Sequence, residues 1–289
     1  MTTNGCTFCD LAGELYAKSH KLRNGGFQDI YQCKECKSFY PQKRKSFNEI
    51  PNYLSTQNTN KDEFRSLDKH REVQKNNYVI RALKHHIKAK GTALDVGAYI
   101  GGFVDNLKSI GFDAYGIEPQ NNAVSYAQKE GLNVFSGMFP DDIPENIPKD
   151  GYLLISFLES IYYSTNLKKT FEKASQMLTE DGYLLIQNIC GSSSHFDDKS
   201  VSYFTRYDDY VQVIPTYESI QHWLIHSGFE IKYMNELPIL GINKYFKYEG
   251  KYLKAFHKYF GVFLDFFHKL LFRDTASADK LIIIAKKIS

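Results

Sequence analysis

The sequence of 289 residues lacks a long hydrophobic run, since no stretch reaches the roughly 18 apolar residues of a membrane-spanning helix. The polar segment 1–10 predicts no signal peptide. Internal repeats and low-complexity tracts are also missing, and the net charge of +3 does not favour a nucleic-acid partner. With 43% hydrophobic and 24% charged residues, the chain is typical of a globular protein, for which we expect a cytoplasmic location.

Cysteine is scarce but concentrated near the start of the chain. Four of the five cysteines form two Cys-x-x-Cys pairs that are separated by 23 residues: Cys6 and Cys9, then Cys33 and Cys36. Two tight turns with two thiolates each complete a tetrahedral zinc site, and a closed four-sulfur site is structural. In a reducing compartment, such pairs predict metal ligands rather than disulfides. Segment 1–42 has few apolar residues, so we expect metal binding to supply its folding free energy.

After a charged segment 43–75, predicted to be a linker with helices, strand and helix patterns alternate. Short apolar segments predict seven strands at 93–96, 114–117, 134–135, 152–156, 183–189, 229–233 and 281–285. Helical spacing predicts helices at 78–87, 103–110, 123–129, 167–178 and 217–226. This alternation indicates an α/β fold over 76–289, with a doubly wound, Rossmann-like and mostly parallel seven-stranded sheet.

The most informative feature is a glycine-rich turn between the first of these strands and the next helix. Gly97 and Gly101 allow a sharp turn and a close approach of the backbone to a ligand, and the following helix offers free N–H groups. Glu118 stands 21 residues after Gly97, at the end of the second strand. A carboxylate there can accept hydrogen bonds from two ribose hydroxyls. The combination predicts a nucleotide-type ligand, either a dinucleotide such as NAD or S-adenosylmethionine.

The sequence around this turn favours S-adenosylmethionine as the ligand. Residues 93–137, "ALDVGAYIGGFVDNLKSIGFDAYGIEPQNNAVSYAQKEGLNVFSG", resemble the first half of class I S-adenosylmethionine-dependent methyltransferases. These enzymes carry an acidic residue two positions before the first glycine, here Asp95, and "GIEPS"-like wording after the second strand. "GYLLISFLESIYY", "LTEDGYLLIQNI" and "ADKLIIIAKK" resemble their fourth, fifth and last strands, the last being antiparallel. The resemblance covers roughly residues 76–237 and 278–289.

This resemblance implies a set of residues that bind S-adenosylmethionine. They are Asp95, Gly97, Ala98, Tyr99, Gly101, Glu118, Pro119, Gly137, Met138, Phe157 and Leu158. The first five would hold the methionine part, Glu118 would bind the ribose, and the last two would flank the sulfonium. Gly137 and Met138 would lie near the adenine. The family usually has glycine in place of Tyr99, whose side chain is expected either to crowd the methionine end or to pack over it.

Catalytic candidates follow the fourth and fifth strands, because ligands of open α/β sheets bind beyond the carboxyl ends of the strands. A hydroxyl acceptor needs a base. His195, in the "GSSSHF" loop, is the preferred base, and Glu159 is the other catalytic candidate. Tyr162 and Tyr163 follow Glu159, and a further aromatic cluster at 203–210 could line an acceptor pocket.

An aromatic and basic helix is predicted at 243–273, within an insertion at 238–277 before the last strand. It holds seven Lys or Arg against two Asp or Glu, a net charge of +5. It could pack on the domain, cover the acceptor, form a homodimer contact or make a peripheral membrane contact.

The arrangement of a cysteine knuckle before a methyltransferase domain resembles bacterial enzymes that methylate sugars and polysaccharides. The resemblance favours methyl transfer to a hydroxyl of a sugar or glycan intermediate. RNA or protein methylation is the alternative, but the modest charge and segment 156–159, which replaces an amino-methylating motif, make a nucleic-acid partner the weaker choice. A third alternative is a degenerate methyltransferase fold that acts as a scaffold, with Tyr99 as its only support.

Overall fold

The computed structural model describes residues 5–21, 26–44, 49, 79–189, 210–237 and 280–288. The predicted segments 190–209 and 238–279, which include His195 and the aromatic helix, lie outside these residues, as does most of the linker 43–75. Among the helices of the described part, none is long and apolar enough to cross a membrane.

The N-terminal part forms a small antiparallel sheet, which we call the four-cysteine module (residues 5–44). Its strands, in spatial order, are β1 (Glu14–Lys21), β2 (Phe27–Gln32) and β3 (Phe39–Pro41). One Cys-x-x-Cys turn precedes β1 and the other connects β2 to β3. The sheet therefore brings the two cysteine pairs, far apart in sequence, to one end of the module.

The remaining strands form one seven-stranded sheet. They are β4 (Thr92–Val96), β5 (Asp113–Glu118), β6 (Val134–Ser136), β7 (Tyr152–Leu158), β8 (Leu178–Ile189), β9 (Phe229–Leu237) and β10 (Lys280–Lys287). The spatial order is β6-β5-β4-β7-β8-β10-β9, and only β10 pairs antiparallel with both neighbours. The predicted Rossmann-like, mostly parallel seven-stranded sheet is thus confirmed.

Helices cover both faces of this sheet, because its strands are apolar on both sides. They are α1 (79–86), α2 (Gly102–Ser109), α3 (Asn121–Lys129), α4 (Leu167–Met177) and α5 (Tyr217–His226). Helices α1, α2 and α3 share one core, whereas α4 and α5 share the other. Alternate residues of β10 serve the two cores: Ile283 packs with α4 and α5, and Ile282 packs on the opposite face.

One predicted boundary is wrong. The fifth strand is predicted to start at residue 183, but β8 already begins at Leu178. Leu178 has extended backbone angles (φ −76°, ψ 145°) at the end of α4. A Cβ on Gly182 would lie 2.8 Å from the Leu178 Cβ, so the glycine serves a close packing inside the strand rather than a helix end.

Candidate cofactor pocket and four-cysteine site

A cavity of about 340 Å³ opens at the carboxyl ends of β4, β5 and β7. The chain moves from β4 outward to β5 and β6 and then returns to β7 on the other side of β4. This is a topological switch point, where open α/β sheets bind ligands. Of the residues predicted to bind the cofactor, ten line the cavity: Asp95, Gly97, Ala98, Tyr99, Glu118, Pro119, Gly137, Met138, Phe157 and Leu158.

The exception is Gly101, which is not among the lining residues. It stands at the N-terminus of α2 with a φ of 80°. A Cβ there would lie 2.7 Å from Leu132 Cδ1 and 3.1 Å from Val134 Cγ2. The glycine lets α2 start close to the loop before β6.

The floor of the cavity is the turn after β4. The amides of Gly97 and Ala98 both donate to the Ile117 carbonyl, at 2.9 and 3.1 Å. Gly97 has a φ of 80°, and a Cβ there would lie 2.6 Å from the Ser160 Cβ. Ser160 in turn donates from Oγ to the Val96 carbonyl at 2.5 Å. The glycine is therefore required both by the backbone angle and by the approach of the loop after β7.

We predict that Gly97→Ala destabilises the protein more than Gly131→Ala does. The two glycines have nearly equal φ angles, +80° and +76°, but a Cβ at Gly131 would meet nothing within 4 Å. Gly131→Ala should therefore show only the backbone strain, about 1 kcal/mol, and Gly97→Ala should lose about 1–3 kcal/mol more. Denaturant unfolding of both variants measures the difference, and equal losses would contradict the close contact with Ser160.

Glu118 is a buried acidic group of the cavity, with 5% of its surface exposed. Its Oε2 accepts from the Tyr99 amide at 2.8 Å, and its Oε1 accepts from the Gln120 amide at 2.9 Å. Burial nevertheless outweighs these two hydrogen bonds and raises the pKa of Glu118 to about 7. Each carboxylate oxygen is thus fixed by one backbone amide and retains further lone pairs for a ligand.

The raised pKa of Glu118 predicts that cofactor affinity depends on pH. Ribose hydroxyls would donate to the ionised carboxylate, so protonation below a pKa of about 7 should weaken binding, approaching tenfold per pH unit. Titrations with S-adenosylhomocysteine from pH 5.5 to 7 avoid the ionisation of the ligand's amino group near pH 8. Glu118→Gln should remove the slope, and an equal slope in that variant would assign it to another group.

In the free protein the same shift makes stability fall as pH rises from about 4.5 to about 7.

Tyr99 is the position at which the family usually has glycine. It has a φ of 49°, in the left-handed region that glycine prefers. The side chain lines the cavity and also packs with Tyr126 against Ile100 and Ala123. The ring therefore has a protein surface to pack against, and its effect on the methionine end of the cofactor stays a prediction.

The bottom of the cavity is held by a buried polar pair. Asp95, 2% exposed, accepts from Ser156 Oγ at 2.7 Å, and Ser156 is fully buried on the neighbouring strand β7. This contact fixes the carboxylate at the end of β4. Phe157 follows, also buried, and packs edge-on against Phe139 with ring centroids 5.9 Å apart.

The loop after β7 brings a third carboxylate into the cavity, beside Asp95 and Glu118. Glu159 lines it and has a φ of 57°, an uncommon conformation for a residue other than glycine. Its amide donates to the Gln187 carbonyl at 2.8 Å, and Gln187 Nε2 donates to Glu159 Oε1 at 3.4 Å. Backbone and side chain of Gln187 on β8 therefore both position Glu159. His195, the other catalytic candidate, lies outside the described residues.

The outer wall is a 3₁₀ turn, Ile161–Tyr163, which we call the tyrosine turn. Tyr162 and Tyr163 are half-buried, line the cavity, and have ring centroids 4.6 Å apart. Next to the turn, Ser164 Oγ and Thr170 Oγ1, which also line the cavity, share a hydrogen bond of 2.7 Å.

Several lining residues were missed by sequence reasoning. They are Val96, Phe103, Ile117, Gln120, Phe139, Ser160, Ile161, Ser164 and Thr170. Ser160 could have been found, because it follows the fourth strand directly beside Glu159. Phe139 and Thr170 reach the cavity through the packing of a loop and a helix, for which the sequence carries no local signal.

The two cysteine turns have the same backbone arrangement. Asp10 follows the first pair and donates to the Cys6 carbonyl at 2.9 Å, while Lys37 follows the second and donates to the Cys33 carbonyl at 3.1 Å. Asp10 and Lys37 both have a positive φ, 54° and 63°. The repeated geometry turns two thiols of each pair toward one point.

The four sulfur atoms of Cys6, Cys9, Cys33 and Cys36 all lie within 4.8 Å of one another, and all four are free thiols. Cys6 Sγ and Cys36 Sγ are 3.6 Å apart, close to the roughly 3.8 Å edge of a tetrahedron with 2.3 Å zinc–sulfur bonds. Hydrogen bonds with the other thiols, that of Cys33 foremost, hold the pKa of Cys6 well below its usual range. The donor set and spacing fit a tetrahedral metal ion with sulfur preference.

The sequence comparison assigns the family. Residues 67–233, more than half of the chain, match the family model described as a methyltransferase domain. No curated protein matches the sequence.

Solved structures share the fold at low identity. An S-adenosylmethionine-dependent methyltransferase from Leishmania major has a TM-score of 0.56 at 15% identity, covering 93% of this chain and 96% of that one. The PH0226 protein from Pyrococcus horikoshii has a TM-score of 0.52 at 11% identity, covering 79% of this chain and 100% of that one. An S-adenosylmethionine-dependent methyltransferase from Mesorhizobium loti has a TM-score of 0.51 at 14% identity, covering 73% and 97%.

The family match defines the class, a methyltransferase, and the fold is that of S-adenosylmethionine-dependent methyltransferases. The chain belongs to the methyltransferase-domain family, through residues 67–233.

Proposed function

We propose that the protein transfers the methyl group of S-adenosylmethionine to a hydroxyl of a sugar or glycan intermediate. The observation that carries the proposal is the shared cavity, which has Glu118 at one end and Glu159 with the tyrosine turn at the other. The first end supplies a ribose ligand, and the second supplies a carboxylate base beside an aromatic wall.

The residues of the cavity divide into two groups in this proposal. Asp95, Glu118 and the amides after β4 hold the cofactor, which supplies an electrophilic methyl group on a sulfonium. Glu159 accepts the proton of the acceptor hydroxyl while the hydroxyl oxygen bonds to the methyl carbon and the carbon–sulfur bond breaks. The proton ends on the Glu159 carboxylate, and S-adenosylhomocysteine leaves. Alignment of the three atoms supplies much of the rate.

The tyrosine turn supports a sugar acceptor. The half-buried rings of Tyr162 and Tyr163 combine an apolar face with a hydroxyl, and such rings pack on the C–H faces of a sugar while they bond its hydroxyls. The Glu159 carboxylate is suited to a hydroxyl acceptor, which has to lose a proton. A glycan or nucleotide-sugar partner follows from these two features.

A methyl-transfer assay over a panel of acceptors tests the proposal. The zinc-loaded protein is incubated with S-adenosylmethionine carrying a labelled methyl group and with nucleotide-sugars, oligosaccharides, total RNA or a protein extract in separate reactions. We expect label in the first two reactions and none in the others. Label that enters only RNA or protein would replace the sugar by a macromolecular acceptor.

We propose in addition that the four thiols hold one structural zinc ion. Their mutual spacing and the closed set of four sulfur ligands support this metal. Elemental analysis of the purified protein should give one zinc per chain, and Cys33→Ser should lose most of it. A full-length protein that folds normally with less than a tenth of an equivalent of zinc would reject the metal.

A further inference from the structure

The four-cysteine module packs on the methyltransferase domain directly beside the cavity. We propose that the module is the outer support of the acceptor wall, holding the tyrosine turn so that metal loading controls the acceptor side and leaves the cofactor side unchanged. This inference rests on the proposed function, which makes the tyrosine turn the acceptor side.

The first cysteine turn is inserted between α4 and α5. Thr7, between Cys6 and Cys9, accepts with its carbonyl from the Leu167 amide at 3.0 Å, at the start of α4. Phe8, 9% exposed, packs edge-on against Phe171 and at an angle to Trp223, with ring centroids 6.2 Å away in both pairs. The turn that carries two of the four thiols is therefore part of the core of the larger domain.

Cys9 also faces the larger domain. Its Sγ lies 3.9 Å from Nε2 of His222 on α5. His222 stacks on His226 with ring centroids 3.9 Å apart, and it packs edge-on against Phe8 at 5.8 Å. A shift of the first cysteine turn would thus disturb both the ring packing and the sulfur–imidazole contact.

The second cysteine turn is connected to the wall of the cavity by hydrogen bonds that run through β3. Ser38 is fully buried, with its Oγ 3.2 Å from Cys36 Sγ, and its carbonyl accepts from the Cys33 amide at 2.8 Å. The next residue, Phe39, exchanges two backbone hydrogen bonds with Ile214, at 2.9 and 2.7 Å. Segment 211–214 is thereby added to the edge of the module's sheet.

Segment 211–214 in turn holds the tyrosine turn. The amides of Gln212 and Val213 both donate to the Tyr162 carbonyl, at 2.8 and 3.3 Å. A small core of four buried side chains, contributed by both parts, lies behind it: Ile30, Phe39, Val211 and Ile214. Tyr162 and Tyr163 pack against this core and also line the cavity. Three backbone steps thus join the cysteine ligands to the acceptor wall.

The cofactor side is linked to the module less directly: Ser160, whose carbonyl accepts from the Tyr163 amide at 3.1 Å, donates from Oγ to the Val96 carbonyl at 2.5 Å. Gly97 and Ala98 are held by Ile117 of β5, and Glu118 is held by the amides of Tyr99 and Gln120. All of these lie within the seven-stranded sheet and its own loops. Loss of the module should therefore alter the tyrosine turn while the cofactor affinity is kept.

Hydrogen exchange with and without zinc tests this inference, in the full chain and without an acceptor. When a chelator removes the zinc, we expect the amides of Gln212 and Val213 to exchange roughly tenfold faster or more. The reason is that their hydrogen bonds to the Tyr162 carbonyl would open more often. Trp223, the single tryptophan and fully buried, should shift its emission to the red as Phe8 withdraws. The affinity for S-adenosylhomocysteine should change less than about twofold, well under 1 kcal/mol.

Phe39→Ala, with Phe27→Ala as its matched control, separates the effect of the Phe39 packing from the effect of metal binding. Both residues belong to the module, but Phe39 is 4% exposed behind the tyrosine turn, whereas Phe27 is 63% exposed. We expect Phe39→Ala to keep its zinc and S-adenosylhomocysteine binding, yet to speed exchange at Gln212 and Val213, and Phe27→Ala to match the wild type.

Unchanged exchange at these two amides in Phe39→Ala would overturn the inference. Exchange that stays slow at 211–214 after chelation, while 27–41 exchanges fully, would overturn it as well. A wild-type protein that does not bind S-adenosylhomocysteine would instead reject the proposed function, and the exchange data would still report whether the module holds the turn.

Discussion

Glu118→Ala is expected to weaken the binding of S-adenosylhomocysteine by about 100-fold or more. The carboxylate is fixed by the amides of Tyr99 and Gln120 at 2.8 and 2.9 Å, and it would accept from both ribose hydroxyls. Hydrogen bonds to a charged group contribute about 1.5–3 kcal/mol each, so losing two costs at least about 3 kcal/mol, or a factor of about 100. Isothermal titration of wild type and variant measures this change.

Glu118→Gln is the control for this prediction. It keeps the shape and one acceptor oxygen, so the affinity should fall by roughly tenfold, between wild type and alanine. Burial already opposes the ionised carboxylate, raising its pKa to about 7, so at pH 8 the amide variant should be at least as stable as the wild type. Wild-type affinity in the alanine variant would show that the cofactor does not use this carboxylate.

Glu159→Gln is expected to reduce the rate of methyl transfer by about 10²- to 10⁴-fold, the usual contribution of a general base. The amide cannot accept the acceptor's proton, but it preserves the size of the side chain and the backbone hydrogen bond to Gln187. The affinity for S-adenosylhomocysteine should remain within about twofold, since the proposal places the ribose of the cofactor at Glu118, on the other side of β4. The measurement uses the acceptor found in the labelling panel.

Glu145→Gln serves as the matched control, because Glu145 is exposed and is not among the residues that line the cavity. Its rate should equal that of the wild type. A Glu159→Gln enzyme with the wild-type rate would exclude Glu159 as the base and direct attention to His195.

Much of the sheet could be predicted because its signals are local. The strand β7 is apolar except for Ser156, and the glycines at 97 and 101 fall where the backbone needs a positive φ. The position of Glu118 follows from the lengths of consecutive elements. Together β4, α2 and β5 place its carboxylate beside the glycine turn. The resemblance to class I methyltransferases then named ten of the residues that line the cavity.

The parts that could not be predicted depend on contacts between distant segments. Nothing near Phe8 indicates that it packs between Phe171 and Trp223. The sequence around Phe39 is compatible with a strand, but its pairing with Ile214 can be recognised only in the folded domain. The start of β8 at Leu178 was likewise missed, because a turn residue such as Gly182 can lie inside a strand when a neighbouring side chain approaches closely.

These distant contacts change the interpretation of the cysteine pairs. From the sequence they predict a small appendage that needs metal to fold. In the structure the same segment contacts the methyltransferase domain in two places. Thr7 and Phe8 form one contact region, and Phe39 forms the other. A metal ion at the four thiols would thus stabilise a surface of the catalytic domain as well as the module.

Isothermal titration of the zinc-loaded wild-type protein with S-adenosylhomocysteine is the most direct test of the central claim, that the cavity at the ends of β4, β5 and β7 is the cofactor site. The account predicts one molecule bound per chain with a dissociation constant in the micromolar range. The absence of binding by a folded protein would contradict it, and would indicate that the Tyr99 side chain closes the cavity to the methionine end of the cofactor.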